Sequence, residues 1–328
     1  MKPGFLGEAM RFTLKQLRYL DAAGRTGSIA NAAEELNISQ SSVTAAIDAL
    51  EAELGFDIFL RMPAKGIRAT PSGREVLIMV ARFLIEARGL ENELASVSGD
   101  PVGTLRLACY ATTAPFVLPP LLKEFARRFS GIHIEVREGD MGSILGQLKE
   151  GEVDIALTYR RSMDGSLDFV PLFRARPYAI LPHDHVLAKQ AEVTLAALSA
   201  LPMVVLDLPL ATEYYTALFR EKGLEPRVAH SSKTSEMARA LVAGGFGFAI
   251  LNICDPMNRE EVSGYACRPI SDDIEAPYFG IALPMSARRP AVAERFIAMC
   301  REMAQLGVFD GLVVFPKRFP QKTVEVAS

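Results

Sequence analysis

Between Leu14 and Leu54 the apolar positions fall into three runs of helical period. Leu14, Leu17 and Leu20 recur at spacing three behind Thr13, which with Gln16 has the form of a capping box, and this helix runs to about Gly24. Ser28 is a good N-cap for a short helix that turns Ala32, Ala33 and Leu36 inward before Asn37 breaks it. Ser39 caps a third helix carrying Val43, Ile47, Leu50 and Leu54, stopped by Gly55. The last two helices, joined by a few residues, form a helix-turn-helix. The pattern then shortens: FDIFLR and IRAT read as strands around the turn MPAKG, a two-stranded wing. Residues 12–70 are thus expected to be a winged helix-turn-helix.

Thr70 or Ser72 then caps a long helix over 71–98, with Pro71 in its first turn. Its apolar residues Val76, Val80, Phe83, Ala87, Leu90, Leu94 and Val97 alternate steps of four and three. A 3.5-residue period held this long is a coiled-coil seam that asks for a partner helix, so the head is expected to be dimeric; a seam buried within one chain is the alternative. Ser98, Gly99, Asp100, Pro101 and Gly103 interrupt every periodicity and mark a domain boundary.

Strands and helices alternate beyond it. TLRLACY, IHIEVREG and VDIALTY are strands separated by helices around PFVLPPLLKEFARRF and SILGQLKEG. A second set follows: PMVVLDL, ATEYYTALFREKG, PRVAHSS, TSEMARALVAGG and FGFAILN. YFGIALP and the helix after it return to the first half. The chain is therefore expected to be α/β with parallel strands and an all-α-rich N-terminal head, its two α/β halves flanking a cleft.

Composition narrows the function. The 328 residues are 49% hydrophobic, ample for folded cores. No apolar stretch is long enough to span a membrane, and MKPGFLGEAMRF lacks the apolar segment of a secretory signal, so cytoplasmic residence is expected. Cys109, Cys254, Cys267 and Cys300 form no C-x-x-C pair and read as reduced, buried thiols, with a redox pair of Cys254 and Cys267 as the alternative. His183 and His185 have no Cys or carboxylate ligand set around them; neither a metal nor another cofactor is expected. Walker loops, G-x-S-x-G and dinucleotide glycine fingerprints are absent, which argues against an enzyme.

The net charge of −3 does not announce a DNA binder, and the first 98 residues carry about eleven Lys and Arg against about twelve Asp and Glu. Distribution is more informative: from Ile58 to Arg74 the wing holds Arg61, Lys65, Arg68 and Arg74 with no carboxylate among them, suited to phosphate. On the third helix Ser39, Gln40, Ser41, Ser42 and Thr44 present hydrogen-bonding side chains of groove-reading size, and Gln40 can pair with an adenine edge. Ser28 and Asn31 open the preceding helix and complete the candidate DNA face. An ordinary solvated helix face is the plain alternative for the same residues.

Ligands of doubly wound sheets lie beyond the C-terminal ends of strands, against helix N-termini. In the first half that rule selects Ala111, Thr112 and Thr113, then Asp140 to Ser143 with Met141 among them, then Tyr159 with Arg160. In the second it selects Leu208 and Pro209, Ser232 to Thr234 with Lys233, and Gly247 with Phe248. Amides at the start of the Pro115 helix, beside the Thr112 and Thr113 hydroxyls, suit a carboxylate or another small anion.

With these residues in place, the chain resembles the LysR-type family of bacterial transcriptional regulators over nearly its whole length. The likeness is carried by LKQLRYLDAAGRTGSIANAAEELNISQSSVTAAIDALEAELGFDIFLR and the following TPSG. It implies a winged head, a linker helix at 71–98, and a two-lobed effector domain at 102–312 of the type 2 periplasmic-binding-protein kind. Lobe I would comprise about 102–175 and 280–312 and lobe II about 176–279, crossing at Phe169 to Arg176 and Ala276 to Gly280, with 313–328 as an unassigned tail. The partners implied are promoter DNA, a small acidic effector, further copies of the chain as homodimer or homotetramer, and RNA polymerase.

By the same resemblance, Thr112 matches the hydroxyl residue that often holds the effector carboxylate. Two positions depart from the family pattern. Met141 stands where many members have Ser or Thr, which makes a more apolar effector plausible. Ser41 and Ala45 stand where many have a proline and a base-reading arginine, so no charge lies between Leu36 and Ile47 and the head is expected to lean on phosphate contacts and DNA shape. A solute-binding transport protein is the alternative function, disfavoured by the head.

Overall fold

The computed structural model describes residues 12–62, 66–96, 102–161, 163, 165–255, 264–285 and 289–316. Lys65 in the wing turn, Val97 in the expected seam, residues 98–101 of the expected boundary and the tail from 317 lie outside them. The described residues divide into two compact units, the first holding those up to 94 and the second nearly all of the rest.

In the first unit α1 (Leu14–Thr26) carries the capping box: the Gln16 amide donates to Thr13 Oγ1, and Gln16 Oε1 accepts from the Thr13 amide. Ser28 caps α2 (Ile29–Glu35) and Ser39 caps α3 (Gln40–Leu54), each hydroxyl accepting a main-chain N–H three residues on. Gly27 and Gly55 end α1 and α3 in the left-handed conformation. Leu17, Leu20, Val43, Ile47 and Leu50 meet in one core, whereas Leu54 at the end of α3 stays exposed. Strands β1 (Phe59–Met62) and β2 (Gly66–Ala69) form the antiparallel wing. Gly66 has φ +80°, and a Cβ there would sit 2.4 Å from the Gly27 carbonyl, which accepts from the Ile67 amide at 2.9 Å; the close approach ties the wing to the turn before α2.

Helix α4 (Pro71–Ser96) is capped by Thr70, whose hydroxyl oxygen accepts from the Gly73 amide at 2.8 Å. Its apolar residues serve two faces. Val80 and Leu84 are buried in the head core, with Val76 and Leu77 against it. Met79, Phe83, Leu90 and Leu94 are exposed at steps of four, seven and four. The expected seam is therefore corrected at its start: Val76 and Val80 pack within the chain, and Met79 takes the outward position.

The second unit has two lobes. Lobe I is a five-stranded sheet in the order β4 (Ile132–Gly139), β3 (Gly103–Tyr110), β5 (Ile155–Tyr159), β12 (Tyr278–Pro284), β6 (Leu167–Arg174). The first three are parallel, but β12 runs antiparallel to both β5 and β6, so the all-parallel expectation fails at β12, one strand in from the edge. Every residue of β5 is buried, as a central strand covered on both faces requires. Helices α5 (Ala114–Arg128), α6 (Met141–Lys149) and α10 (Ala291–Gln305) supply that cover through Phe125, Leu148 and Phe296.

Lobe II joins the antiparallel set β10 (Ala249–Leu251), β7 (Tyr178–Pro182), β11 (Tyr265–Pro269) to the parallel pair β8 (Pro202–Leu206), β9 (Arg227–Ser232). The link is at Phe248, whose amide donates to the Pro202 carbonyl while its own carbonyl accepts from Val204. Gly247 has φ +130° and lies so close to Pro202 that a Cβ would overlap its carbonyl oxygen. Helices α7 (Leu195–Ser199), α8 (Ala211–Arg220) and α9 (Ser235–Ala243) complete the lobe.

The crossings between lobes are narrower than expected on one side: residues 169–174 belong to β6, and only 175–177 separate it from β7, while 270–277 return to β12. Arg176 joins the two crossings, donating from Nη1 to the Ile274 carbonyl at 3.0 Å and from Nη2 to those of Asp272 and Ile270 at 2.5 and 3.3 Å. Cys254 and Cys267 are both buried with their sulfurs 3.7 Å apart. Burial pushes the Cys109 thiol up to about 12 and the Cys300 thiol up as well. His185 caps a turn by accepting the Leu187 amide. No described helix is long and apolar enough to cross a membrane.

Candidate functional site

On the head, the first turn of α3 leaves Ser39, Gln40, Ser41 and Ser42 exposed, with Thr44 half-buried; Val43 turns inward as the anchor. The serines are linked: Ser39 Oγ lies 2.9 Å from Ser41 Oγ and 2.8 Å from Ser42 Oγ, so two hydroxyls are pre-oriented on the cap. Gln40 and Asn31 are exposed, and Ser28 is occupied with capping α2. On the wing Arg68 is exposed, whereas Arg61 pairs with Asp48 on the outer face of α3. Both partners are more than half exposed, so the pair is worth roughly 0–1 kcal/mol and is easily exchanged for a phosphate.

In the second unit a cavity of about 10 Å³ lies between the lobes, bordered from lobe I by Thr112, Thr113 and Tyr159 and from lobe II by Tyr215, Ser235, Arg239 and Asn252. Three of the residues selected by the strand-end rule are therefore brought together. Thr113 turns its hydroxyl back onto the Tyr110 carbonyl at 2.9 Å, leaving the half-buried Thr112 as the more available hydroxyl. Ala111 is half-buried beside them, its amide donating to Gly139.

The other selected residues serve the scaffold. Met141 is buried in the lobe I core, because α6 turns Met141, Ile144, Leu145 and Leu148 to one inward face. Ser143 is exposed and donates to the Asp140 carbonyl, while the Asp140 carboxylate caps the Gly142 and Ser143 amides. Phe248 is in the lobe II core, and Gly247 serves the close approach to Pro202. Lys233 pairs with Asp207 at 2.8 Å, and Thr234 caps α9. Leu208 is half-buried against the cores of both lobes; Pro209 is exposed.

What the strand-end rule does not reach is a polar and aromatic cluster. Asn252 is buried, accepts the Tyr215 hydroxyl at 2.9 Å, and donates to the carbonyl of Ala175 in the first crossing at 2.7 Å. Arg239 is buried, donates to the Ile253 carbonyl, and its guanidinium faces the Phe116 ring of lobe I. Arg161, just beyond β5, lies 3.0 Å from the centroid of the Tyr214 ring of lobe II and 5.1 Å from that of Tyr159. Burial pushes the phenols of Tyr110, Tyr159, Tyr214 and Tyr215 above their ordinary range, so all four are neutral donors at physiological pH. The doublet Tyr214–Tyr215, two aromatics side by side in a helix, was the signal in the sequence that could have found lobe II's share. Among the described residues no group of His, Cys, Asp and Glu could hold a metal ion.

Known proteins resemble both units. Residues 14–74 match the bacterial regulatory helix-turn-helix protein, lysR family, and residues 98–305 match the LysR substrate binding domain. The chain is 30% identical over 240 residues to the HTH-type transcriptional regulator cbl of Klebsiella aerogenes, covering 72% of this chain and 76% of that one. It is 24% identical to an uncharacterized HTH-type transcriptional regulator, YvbU of Bacillus subtilis, over 89% of this chain and 98% of the relative. Among solved structures, HinK, a LysR family transcriptional regulator from Pseudomonas aeruginosa, superposes with a TM-score of 0.59 at 30% identity, covering 89% of this chain and 99% of that one. A family match over both the head and most of the two-lobed unit means that the chain belongs to the LysR family and is a DNA-binding transcriptional regulator with an effector-binding domain.

Proposed function

We propose that this regulator acts in the cytoplasm on promoter DNA as a homodimer or homotetramer, and that a small acid bound between the lobes at Thr112 changes its activity. The observation that carries the effector half is the convergence of Thr112 and Tyr159 from lobe I with Tyr215, Arg239 and Asn252 from lobe II on one cavity. Asn252 extends that cavity to the first crossing, so a ligand that shifts Tyr215 also acts on the joint between lobes. On the head, Ser39, Gln40, Ser41, Ser42 and Thr44 read the groove, while Ser28, Asn31, Arg61, Lys65 and Arg68 hold phosphates. The exposed stripe Met79, Phe83, Leu90 and Leu94 is the pairing face, and RNA polymerase is the further partner through which bound effector is expressed.

Two experiments test this reading. Gln40→Ala should lower the preference for the true operator by about 1 to 3 kcal/mol while random DNA binds nearly as before. Arg68→Ala should weaken all sequences alike and reduce the salt dependence by about one ion. Equal losses on both DNAs for Gln40→Ala remove it from the reading face. A cognate acid at about a hundred times its Kd should stabilise the protein by roughly 2.7 kcal/mol in a thermal-shift titration, and Thr112→Val should abolish most of that shift. Undiminished affinity in the valine variant places the effector elsewhere.

A further inference from the structure

The reading end of α3 is uncharged, and the first carboxylates after it face the wing. Asp48 and Glu51 stand one turn apart on the helix, behind a stretch from Leu36 to Ile47 that holds no charge. Asp48 pairs with Arg61 of β1 at the exposed surface. Glu51 is half-buried, and its Oε1 accepts from two successive amides, that of Ile58 at 2.7 Å and that of Phe59 at 2.9 Å.

Those amides are the root of the wing. The side chains of Ile58 and Phe59 are buried in the head core, and the Ile58 carbonyl accepts from the Thr70 amide at 2.9 Å, where the wing ends and α4 begins. Both Glu51 bonds lie in partly buried surroundings, where an amide left without an acceptor is costly. One such bond would let the strand pivot about it; two successive amides converging on one oxygen remove that freedom. The far side of the hairpin is tied elsewhere, through the Ile67 amide to the Gly27 carbonyl before α2, and that bond does not set the spacing of β1 from α3. The reach of the side chain therefore matters. An aspartate at this place would fall short by about one C–C bond, ~1.5 Å, and charge-assisted hydrogen bonds to phosphate keep to a far narrower range of lengths.

We propose that Glu51 is a positioning residue for DNA binding: by holding the Ile58 and Phe59 amides it sets the wing against α3, so that Arg61 and Arg68 meet phosphates when the first turn of α3 lies in a groove. This rests on the reading that the wing holds phosphates. Glu51 acts through the main chain of β1 and needs no contact with DNA of its own.

The full-length protein, titrated with random-sequence duplex DNA at several salt concentrations, tests reach and charge at position 51 separately. Glu51→Gln keeps an acceptor oxygen at the same reach without the charge and should bind as wild type does. Glu51→Asp keeps the charge and retracts the acceptor; it should lower the salt dependence by about two ions per head, one for each wing arginine, and weaken binding roughly tenfold or more. In the Glu51→Asp background Arg68→Ala should cost nothing further, because the contact it removes is already lost. A head that is merely destabilised gives fewer active molecules with an unchanged salt slope, and circular dichroism measures the folded fraction. A wild-type slope for Glu51→Asp, or an Arg68→Ala loss of equal size in both backgrounds, overturns the role of Glu51. A loss in Glu51→Gln as large as that in Glu51→Asp overturns it as well, since reach is then not what counts. Arg68→Ala without effect on the wild-type slope removes the wing from phosphate, and the role of Glu51 falls with that reading.

Discussion

Arg176→Met removes the clasp between the two crossings while keeping the length and bulk of the side chain. Arg176 is 5% exposed and donates to three main-chain carbonyls of the 270–277 crossing. Those of Ile270 and Ile274 sit in buried surroundings, whereas that of Asp272 is partly open and can turn to water. Two carbonyls orphaned at roughly 1 to 3 kcal/mol each, less the relief of no longer burying a guanidinium, give a loss of about 3 kcal/mol. For a unit of this size that is roughly 6 to 12 °C in Tm, measured by calorimetry on the full chain. Arg176→Lys should fall between, because an ammonium lacks the planar fork that spans all three carbonyls. A further bond across the joint, from the Ala175 amide to the Pro277 carbonyl at 2.9 Å, is main-chain and survives both changes. A methionine variant that melts within about 1 °C of wild type would show that this backbone pairing suffices and that Arg176 is not the clasp.

Two further outcomes are expected. Phe83→Glu puts an unpaired charge in the middle of the exposed α4 stripe, where burial against a partner helix costs several kcal/mol, so ultracentrifugation should show the dimer dissociating. Ile78→Glu, more exposed than Phe83 but off the stripe, should leave it intact; dissociation by both or by neither refutes the pairing face. At the ends of α5 and α10, hydrogen bonds from Arg127 and Arg128 hold the Glu124 carboxyl down at about 2, and Arg128 lowers Glu302. A depressed carboxylate contributes stability that is complete above its unfolded value near 4.5 and lost as pH falls toward 2, so wild type should lose more Tm across that window than Arg128→Gln. Parallel pH profiles would show that this exposed network contributes nothing.

The head was legible because its signals are local. A capping box at Thr13, hydroxyl caps at Ser28 and Ser39, and left-handed glycines at 27 and 55 each act within a turn of the residue that announces them. The misreadings come where a residue's fate is decided by distant chain. The resemblance implies a crossing at Phe169 to Arg176, but most of that stretch belongs to a strand because Phe169 lies opposite Ala282, more than a hundred residues later. The α4 pattern allowed one seam through Val76 and Val80; the head core, assembled from α1 to β2, claims those two and leaves Met79 outside. Met141 is a different case. The strand-end rule selects it, but its spacing with Ile144, Leu145 and Leu148 gives one inward face, and it is buried there.

The same conflict of rules arises at the end of the third strand of lobe I, where the strand-end rule selects Tyr159 with Arg160. Taking the residue next after a strand as the ligand contact ignores the pleat, along which successive side chains point to opposite faces. Tyr159 is buried and faces the cavity, so the following residue points away, and Arg160 is indeed exposed. Period two returns to the cleft at Arg161, which is where the guanidinium crosses to Tyr214. Strand alternation carried one residue past the last ladder bond is enough to select Arg161 as the arginine of the pair that reaches the other lobe. What no local pattern could give was its counterpart: Tyr214 lies on a helix of the other lobe, and it meets Arg161 only because the chain crosses between the lobes twice, with Arg176 binding one crossing to the other.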